Sequence, residues 1–396
     1  MTRDIRPSAR VAALPPNFFG AMDARIAAAR AAGRDVIDVS KGNPDLPTPE
    51  HIVAAMQREV ADPRNHGYPS FSPRPALRDA IARRYATDHG VRVDPETQVA
   101  VFHGSHEGLM AAVLALVDPG ETLVLPDPGY PAYLSAARFA GAVVQPLPLD
   151  AASGHQPEVA ALDRLDRAAA LLLNYPNNPT GAVATRDTFV RTLAAVERIG
   201  AVLVHDFAYS SLGFEGGPPL SALAVDEGLV STVEVSTLSK TYSMAGWRLG
   251  YAVGNTAVVA AMRRYQAHAF STIFGAAQEA AAAALDGDQT AARELVEVYR
   301  HRRDLVVGAL RDAGLAVDAP PGSFFVWLPV PGGGDDVAFA DRLLEEHGVA
   351  VAPGSGFGER GRGHVRLGLV HGDEALGELV ARIAGALRPA GSRPAG

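Results

Sequence analysis

Hydrophobic and polar positions between residues 75 and 285 form two alternating patterns. Short runs of consecutive apolar residues are separated by longer Ala- and Leu-rich segments of helical character. Continuous apolarity over so few residues is typical of strands that are buried on both faces. The pattern therefore predicts an α/β fold with a mostly parallel central sheet between helices. The predicted strands are 98–103, 122–127, 170–175, 201–206 and 232–237.

The chain beyond residue 288 changes pattern and predicts a smaller α+β domain. A long helix is expected over 289–314, and further helices near 336–347 and 374–387. Strands are expected near 315–318, 323–330, 349–352 and 364–370. We expect four segments: an N-terminal segment (1–45) packing with the small domain, a large domain (46–287), the small domain (288–388) and a disordered tail (389–396).

Distinctive polar motifs follow the predicted strands of the large domain. In α/β sheets, ligands bind beyond the carboxyl ends of the strands. Motifs from separate strands should therefore meet at one edge of the sheet and form one composite site. The motifs are HGSHE (103–107), DPGY (127–130), NYPNNPTG (174–181), HDFAY (205–209) and STLSK (236–240).

Composition narrows the classes of function. The 396 residues include no cysteine and carry a net charge of −8, with no basic run. Disulfides and thiolate chemistry are excluded, and nucleic-acid binding is not expected. No apolar stretch reaches the roughly 18 residues of a membrane span, and the N-terminal sequence does not resemble a signal peptide. We expect a cytoplasmic protein with no nucleic-acid, membrane or metal partner.

Only two of the 36 basic residues are lysines, Lys41 and Lys240. Lysine can lose its proton and act as a nucleophile, whereas arginine stays protonated. A single lysine is most often a surface charge, so its neighbours must decide its role. Lys240 belongs to one of the motifs at a strand end and is therefore the candidate nucleophile.

Other residues of these motifs suit charged groups of a ligand. Ser105 and His106 lie between a strand and a helix, where free backbone N–H groups bind anions. Asp206 ends a buried strand and needs a partner, which can be an arginine, a backbone N–H or a protonated heterocyclic nitrogen. Arg248 and Arg366 lie beside glycines and can bind phosphate or carboxylate in a bidentate manner.

Together these motifs resemble the pyridoxal-phosphate-dependent aminotransferases of class I/II, fold type I. The resemblance extends from PPNFFGAMD near the N-terminus to GHVRLGLV (363–370), and TLSKTYSMAGWRLGYAVGN (237–255) is among its most specific stretches. The chain looks most similar to the methionine-salvage branch, which aminates 4-methylthio-2-oxobutanoate, and is also similar to diaminopimelate- and alanine-type relatives. The resemblance implies a homodimer that moves an amino group between an L-amino acid and a 2-oxo acid by a ping-pong mechanism.

The resemblance also implies how the cofactor, pyridoxal 5′-phosphate, is bound. Lys240 would bind its aldehyde carbon and move protons at the substrate, and Asp206 would pair with the pyridine nitrogen. Tyr209 and Asn178 would hydrogen-bond the phenolic oxygen, and Tyr130 would stack on the ring. The implied phosphate contacts are Ser105, His106, Thr237, Ser239 and Arg248, with Tyr68 of the neighbouring subunit.

The same resemblance assigns the substrate contacts. Arg366 would bind the α-carboxylate, assisted by Asn178 and the backbone of Gly42. An apolar pocket for the side chain is expected at Phe18, Phe19 and Phe324, which could equally be ordinary core aromatics. An apolar lining favours methionine-like, aromatic or branched side chains.

Alternatives stay open at this stage. A β-lyase, an oxidase or hydroxylase, or a cyclase can share the fold and the cofactor, although Arg366 and NNPTG favour transamination. Lys41 is the rival lysine, for which we expect a structural or entrance role. Relatives often carry glycine, lysine and asparagine where this chain has Pro73, His106 and Ser243, and these departures affect substrate choice more than chemistry. GFGERG (356–361) precedes a strand rather than a helix, so it does not indicate a nicotinamide enzyme.

Overall fold

A computed structural model describes residues 6–387, so the predicted tail lies outside the described part of the chain. The helices are α1 (Ala9–Ala12), α2 (Phe18–Ala31), α3 (Glu50–Val60), α4 (Pro75–His89), α5 (Ser105–Leu116), α6 (Ala132–Ala140), α7 (Arg186–Arg198), α8 (Leu238–Thr241), α9 (Thr256–Ala269), α10 (Gly275–Asp286), α11 (Thr290–Asp312), α12 (Asp336–His347) and α13 (Asp373–Ala386). The strands are β1 (Ile37–Asp38), β2 (Val99–Phe102), β3 (Thr122–Asp127), β4 (Val143–Pro148), β5 (Ala170–Asn174), β6 (Val202–Asp206), β7 (Thr232–Thr237), β8 (Gly250–Gly254), β9 (Phe325–Pro329), β10 (Val349–Ala350), β11 (Ala352–Pro353) and β12 (His364–Gly368).

A seven-stranded sheet forms the centre of the molecule, with the strand order β2-β8-β7-β6-β5-β3-β4. Strands β4, β3, β5, β6 and β7 run parallel to one another, and β8 is antiparallel to both of its neighbours, β7 and β2. The α/β fold with a mostly parallel central sheet is therefore confirmed. All five predicted strands are present.

Helices cover both faces of the sheet. Successive apolar side chains of a strand point to opposite faces, and each face packs in its own hydrophobic core. In β2, Ala100 and Phe102 pack with α5 in one hydrophobic cluster. Val99 and Val101 point the other way and pack in a second cluster with α4 and α10. This alternation follows from the period of two in a strand. Both faces are buried, which explains the continuous apolar runs in the sequence.

The C-terminal part contains a three-stranded antiparallel sheet of order β11-β12-β9. The predicted helices at 336–347 and 374–387 correspond to α12 and α13. The predicted strand near 315–318 is wrong. Leu315 and Val317 are buried in the core, but residues 315–318 pair with no strand in the described part of the chain. The predicted strand at 349–352 divides at Val351 into β10 and β11, which belong to different sheets.

The N-terminal segment joins this C-terminal part through a parallel pair, in which Ile37 of β1 lies opposite Val349 of β10. The boundaries of the four predicted segments stay a prediction. Among residues 6–387, no helix is both long and apolar enough to cross a bilayer.

Candidate active site

A cavity of about 330 Å³ lies at the carboxyl edge of the central sheet. It brings together the predicted site residues except Tyr68, which is 96% exposed in the single chain, and the predicted pocket residues Phe18 and Phe324. A larger cavity of about 830 Å³ lies against the other side of α8, but neither Lys240 nor Asp206 lines it. The smaller cavity is therefore the candidate active site. Its lining includes Phe19, Gly42, Ser105, His106, Tyr130, Asn178, Asp206, Tyr209, Thr237, Ser239, Lys240, Arg248 and Arg366.

Lys240 lies on the short helix α8, directly after β7. The Thr237 side chain accepts a hydrogen bond from the backbone N–H of Ser239 at 3.1 Å and so caps this helix. Nζ of Lys240 donates to the carbonyl oxygen of Gly42 at 2.6 Å. Burial, together with the positive charges of Arg366 and Arg248, lowers the pKa of Lys240 to about 8. About a tenth of the amine is therefore unprotonated at pH 7 and can act as a nucleophile.

Asp206 ends β6 and is 5% exposed. Its Oδ2 accepts a hydrogen bond from the hydroxyl of Tyr133 at 2.7 Å, and its Oδ1 accepts one from the N–H of Ala208 at 3.2 Å. Burial raises the pKa of Asp206, and these two donors oppose the rise. Within residues 6–387 this carboxylate forms no ion pair. A protonated heterocyclic nitrogen would supply the missing positive charge.

The N-terminus of α5 forms an anion cradle, which comprises Gly104, Ser105 and the side chain of Arg248. Gly104 has a φ of +89°, and a Cβ there would lie 2.4 Å from Nη2 of Arg248. A Cβ on Gly250 would lie 2.5 Å from the backbone nitrogen of Ser105. Only glycine therefore permits the loop, the arginine and β8 to approach one another so closely. Free N–H groups beside an arginine favour a phosphate.

Arg366 lies on β12 and is 1% exposed. Its Nη1 donates to Oδ1 of Asn178 at 2.7 Å, and its Nη2 donates to the carbonyl oxygen of Ser40 at 2.6 Å. Its Nε has no hydrogen-bond partner in the described chain. Burial lowers the pKa of Arg366 to about 10, so the guanidinium is still protonated at neutral pH. A buried guanidinium with a free donor is suited to a carboxylate.

The aromatic side chains expected in a side-chain pocket divide into two groups. Phe19 lines the cavity, together with Phe325, whose ring centroid lies 4.0 Å from the guanidinium carbon of Arg366. Phe18 packs against Phe357 at 5.6 Å between ring centroids and lies outside the lining. Phe324 is fully buried, and its ring centroid lies 5.3 Å from Nζ of Lys240.

Lys41 also lines the cavity, as does Asp23 of α2. The two side chains form an ion pair, and Oδ2 of Asp38 lies 3.9 Å from the lysine Nζ. Lys41 is thus held in a salt bridge by carboxylates, whereas Lys240 forms no ion pair within residues 6–387. Lys240 is therefore the better candidate nucleophile.

Tyr133 and Asn174 were not predicted as site residues. Asn174 ends β5, where its Nδ2 donates to the carbonyl oxygen of Asp206 at 2.8 Å and its Oδ1 accepts from the N–H of Asn178 at 2.7 Å. Tyr133 follows Tyr130 by three residues in DPGYPAY, at the start of α6. This spacing places a second phenol one helical turn further on, which was the available signal.

A buried lysine, a buried carboxylate and an anion cradle at the carboxyl edge of this sheet define the pyridoxal-phosphate-dependent enzymes of fold type I. Residues 34–383 match the family model described as aminotransferase class I and II. The chain belongs to this family and is an aminotransferase, and the family uses pyridoxal 5′-phosphate.

Individual relatives cover almost the whole chain. The L-glutamine–4-(methylsulfanyl)-2-oxobutanoate aminotransferase of Bacillus subtilis is 46% identical over 372 residues, which are 93% of this chain and 94% of the relative. An LL-diaminopimelate aminotransferase of Desulforudis audaxviator is 42% identical over 380 residues, 96% and 97% of the two chains. The substrate-bound structure of BacF from Bacillus subtilis matches with a TM-score of 0.93 and 37% identity, covering 98% of this chain and 100% of BacF.

Proposed function

We propose that this cavity carries out transamination between an L-amino acid with an apolar, methionine-like side chain and a 2-oxo acid, by a ping-pong mechanism. One observation supports this proposal above all others. Lys240, Asp206, Arg248 and Arg366 come from four different segments of the chain and line the same cavity of about 330 Å³. These four side chains supply a nucleophilic amine, a partner for a pyridinium, a partner for a phosphate and a partner for a carboxylate.

The residues present fit pyridoxal phosphate at each of its charged groups. The amine of Lys240 would hold the aldehyde carbon, and Asp206, which lacks a cationic partner, would hold the ring nitrogen. When bound, the cofactor supplies an electron sink for the bonds at the substrate Cα. Tyr130 would cover the ring face, with Tyr209 and Asn178 at the phenolic oxygen. The phosphate contacts would be Ser105, His106, Thr237, Ser239 and Arg248.

Arg366 and Lys240 act on the substrate in this proposal. The unpartnered Nε of Arg366 would orient the α-carboxylate, assisted by Asn178, whose Oδ1 accepts a hydrogen bond from the same guanidinium. Nζ of Lys240 would take the proton from the substrate Cα and deliver it to the cofactor carbon that carried the aldehyde. Its pKa of about 8 suits both directions of transfer, because a general base works best when its pKa lies near the working pH.

The choice of substrate rests on the cavity lining and on the relatives. Phe19 and Phe325 give the cavity an apolar wall that suits a thioether or a similar chain. The glutamine–4-(methylsulfanyl)-2-oxobutanoate relative, at 46% identity, points in the same direction. LL-Diaminopimelate is the second candidate, because an aminotransferase named for that compound is 42% identical.

A homodimer completes the proposal. Tyr68 is too exposed to serve the cavity of its own chain, and a phenol on a neighbouring subunit would reach the phosphate instead. The cytoplasmic location expected from the sequence also stays a prediction.

A single half-reaction tests the chemistry. Purified protein loaded with pyridoxal phosphate receives methionine without any acceptor, and we expect about one equivalent of 4-methylthio-2-oxobutanoate per chain. Borohydride reduction of the loaded protein, followed by peptide mass spectrometry, should place the cofactor on the peptide that contains Lys240. Cofactor mass on the Lys41 peptide, or no oxo acid from any amino acid, would contradict the proposal.

A screen of oxo acids and amino donors tests the substrate. We expect 4-methylthio-2-oxobutanoate to be aminated with a higher kcat/KM than the oxo acid that corresponds to LL-diaminopimelate. Strong turnover of diaminopimelate beside indifference to 4-methylthio-2-oxobutanoate would replace the first candidate with the second.

A further inference from the structure

One face of helix α2 lies over the active-site cavity and carries two different side chains. Phe19 lies near the carboxylate-binding end, with its ring centroid 5.5 Å from the guanidinium carbon of Arg366. Asp23 follows four residues later, about 6 Å further along the helix axis on the same face. Both side chains line the cavity. The cavity therefore has an apolar section near Arg366 and a charged section beyond it.

The charged section is an ion pair between Asp23 and Lys41. Lys41 is 38% exposed and Asp23 is 53% exposed, so both can contact a bound molecule. Asp38 lies 3.9 Å from the same ammonium group, and its other carboxylate oxygen accepts hydrogen bonds from the backbone and hydroxyl of Ser40. Two carboxylates thus surround one lysine. Lys41 is therefore already paired with carboxylates of its own chain before any substrate binds.

We propose that Asp23 and Lys41 bind the distal end of the substrate side chain and select ends that both donate and accept hydrogen bonds, such as a carboxamide. This inference rests on the proposed transamination. The amide oxygen accepts from Nζ of Lys41, and the amide N–H donates to the carboxylate of Asp23. Both charges stay partnered when the amide enters between them.

Other side-chain ends fit this pair less well. A carboxylate end gains from Lys41 but is repelled by Asp23 and Asp38, and an ammonium end meets the opposite problem. A fully apolar end gains nothing from either charge and uses only the section beside Phe19. One cavity can then accept an amide-bearing amino donor in one half-reaction and an apolar oxo acid in the other.

The test compares kcat/KM for glutamine, glutamate, LL-diaminopimelate and methionine in the loaded wild type and in two variants, Lys41→Met and Asp23→Asn. We expect the wild type to prefer glutamine to glutamate. Lys41→Met should lower the glutamine-to-methionine ratio of kcat/KM by about 10-fold or more, mainly through KM, because it removes a hydrogen bond to a charged group. Asp23→Asn should raise kcat/KM for glutamate relative to that for glutamine.

An unreactive pair of ligands gives a readout that needs no turnover. Glutaramate ends in a carboxamide and hexanoate in a methyl group, and neither carries an α-amino group. We expect glutaramate to inhibit the wild type at lower concentration than hexanoate, and Lys41→Met to remove this difference. Asp187→Asn, a substitution at an exposed position of α7, is the matched control and should leave every ratio unaltered.

The outcomes separate this inference from the proposed function. If methionine is turned over and neither variant changes the kcat/KM ratios between amino acids, Asp23 and Lys41 do not have the proposed role. The same conclusion follows if the protein turns over methionine but neither glutamine nor diaminopimelate. Absence of turnover with all four amino acids overturns transamination itself. A lower kcat/KM for glutamine or for diaminopimelate after substitution of Lys41 supports the inference. Comparison of the two compounds shows whether the site prefers an amide end or an end that carries both an ammonium group and a carboxylate.

Discussion

The hydroxyl of Tyr133 donates a hydrogen bond to Oδ2 of Asp206 at 2.7 Å, between side chains that are 2% and 5% exposed. Asp206 is fixed by this contact and by the N–H of Ala208. Burial favours the neutral carboxylic acid, whereas a pyridinium needs the carboxylate. Tyr133 is one of the groups that stabilise the charged form, so we infer that it positions Asp206 in the proposed cofactor site.

Replacement of Tyr133 by Phe should weaken cofactor binding by about 10-fold, because a hydrogen bond to a charged group contributes about 1.5–3 kcal/mol. We also expect the pKa of Asp206 to rise further, which moves the acid limb of the pH–activity profile to higher pH. The measurements are the Kd of pyridoxal phosphate by fluorescence titration and kcat/KM against pH. Tyr175→Phe removes a buried hydroxyl that donates to the carbonyl of His155 outside the cavity, and it should leave the Kd unaltered. An unchanged Kd and pH profile in Tyr133→Phe would refute the role.

Replacement of Gly250 by Ala should disrupt the anion cradle. The new Cβ would lie 2.5 Å from the nitrogen of Ser105 and the carbonyl carbon of Gly104, so the loop must shift. We expect at least a 10-fold weaker affinity for pyridoxal phosphate and a free energy of unfolding lower by about 1–3 kcal/mol. Gly377→Ala is the control, since nothing lies within 4 Å of its Cβ and an exposed helical alanine is stabilising. Equal affinities in the Gly250→Ala variant and the wild type would show that the cradle does not bind the phosphate.

Lys240 should reduce the stability of the cofactor-free protein below pH 8. The unfolded chain keeps its lysine proton up to a pKa of 10.5, whereas the folded protein releases it at about 8. The desolvated charge therefore costs stability below pH 8, and this cost disappears between pH 8 and 10.5. Lys240→Met should be more stable than the wild type at pH 7, by on the order of 3 kcal/mol. Urea unfolding of both apo-proteins at pH 7 and pH 10 measures the difference, which must shrink with rising pH for the assignment to stand.

Subunit mixing tests whether Tyr68 serves the neighbouring cavity. Tyr68→Ala and Lys240→Ala homodimers should each have low activity, the second with none. In a mixed dimer, the cavity that keeps Lys240 receives an intact Tyr68 from the other chain. Activity should therefore reappear after the two variants are unfolded and refolded together. If mixing leaves activity at the level expected from Tyr68→Ala alone, Tyr68 does not act across the interface.

The parts of the fold that were predicted share one physical property, which is burial on both faces. Strands β2, β3, β5 and β6 contain continuous apolar runs, and such runs are visible without any knowledge of their neighbours. Strand β7 (TVEVST) is buried along its whole length but alternates valine with polar residues. Strand β4 was missed because it is an edge strand that contains two prolines, with Val143 56% exposed. Strand β8 was missed because glycines begin and end its five residues. The strand that was wrongly predicted at 315–318 shows that burial alone does not make a strand, because buried apolar residues form no ladder without a partner strand.

The site was predictable wherever a motif joins the end of a strand to a charge. Lys240, Asp206 and Arg248 follow this rule, and the structure places them around one cavity. The contact of Tyr133 with Asp206 spans 73 residues, and the ion pair of Lys41 with Asp23 joins a loop to a helix. Neither contact can be recognised from a regular spacing in the sequence. The first depends on how α6 packs over the sheet, and the second on how the N-terminal segment packs over it.

The reversed strand β8 has a consequence for how the site tolerates change. Gly250 lies opposite Phe102 of β2 on one side and opposite Thr237 of β7 on the other. The ladder alignment of three adjacent strands thus sets the spacing between the reactive amine and the phosphate loop. A slip of β8 by one residue would turn each of its side chains to the opposite face. An insertion between Lys240 and Gly250 that shifts this alignment should therefore weaken cofactor binding and disturb the packing of β8 in the core.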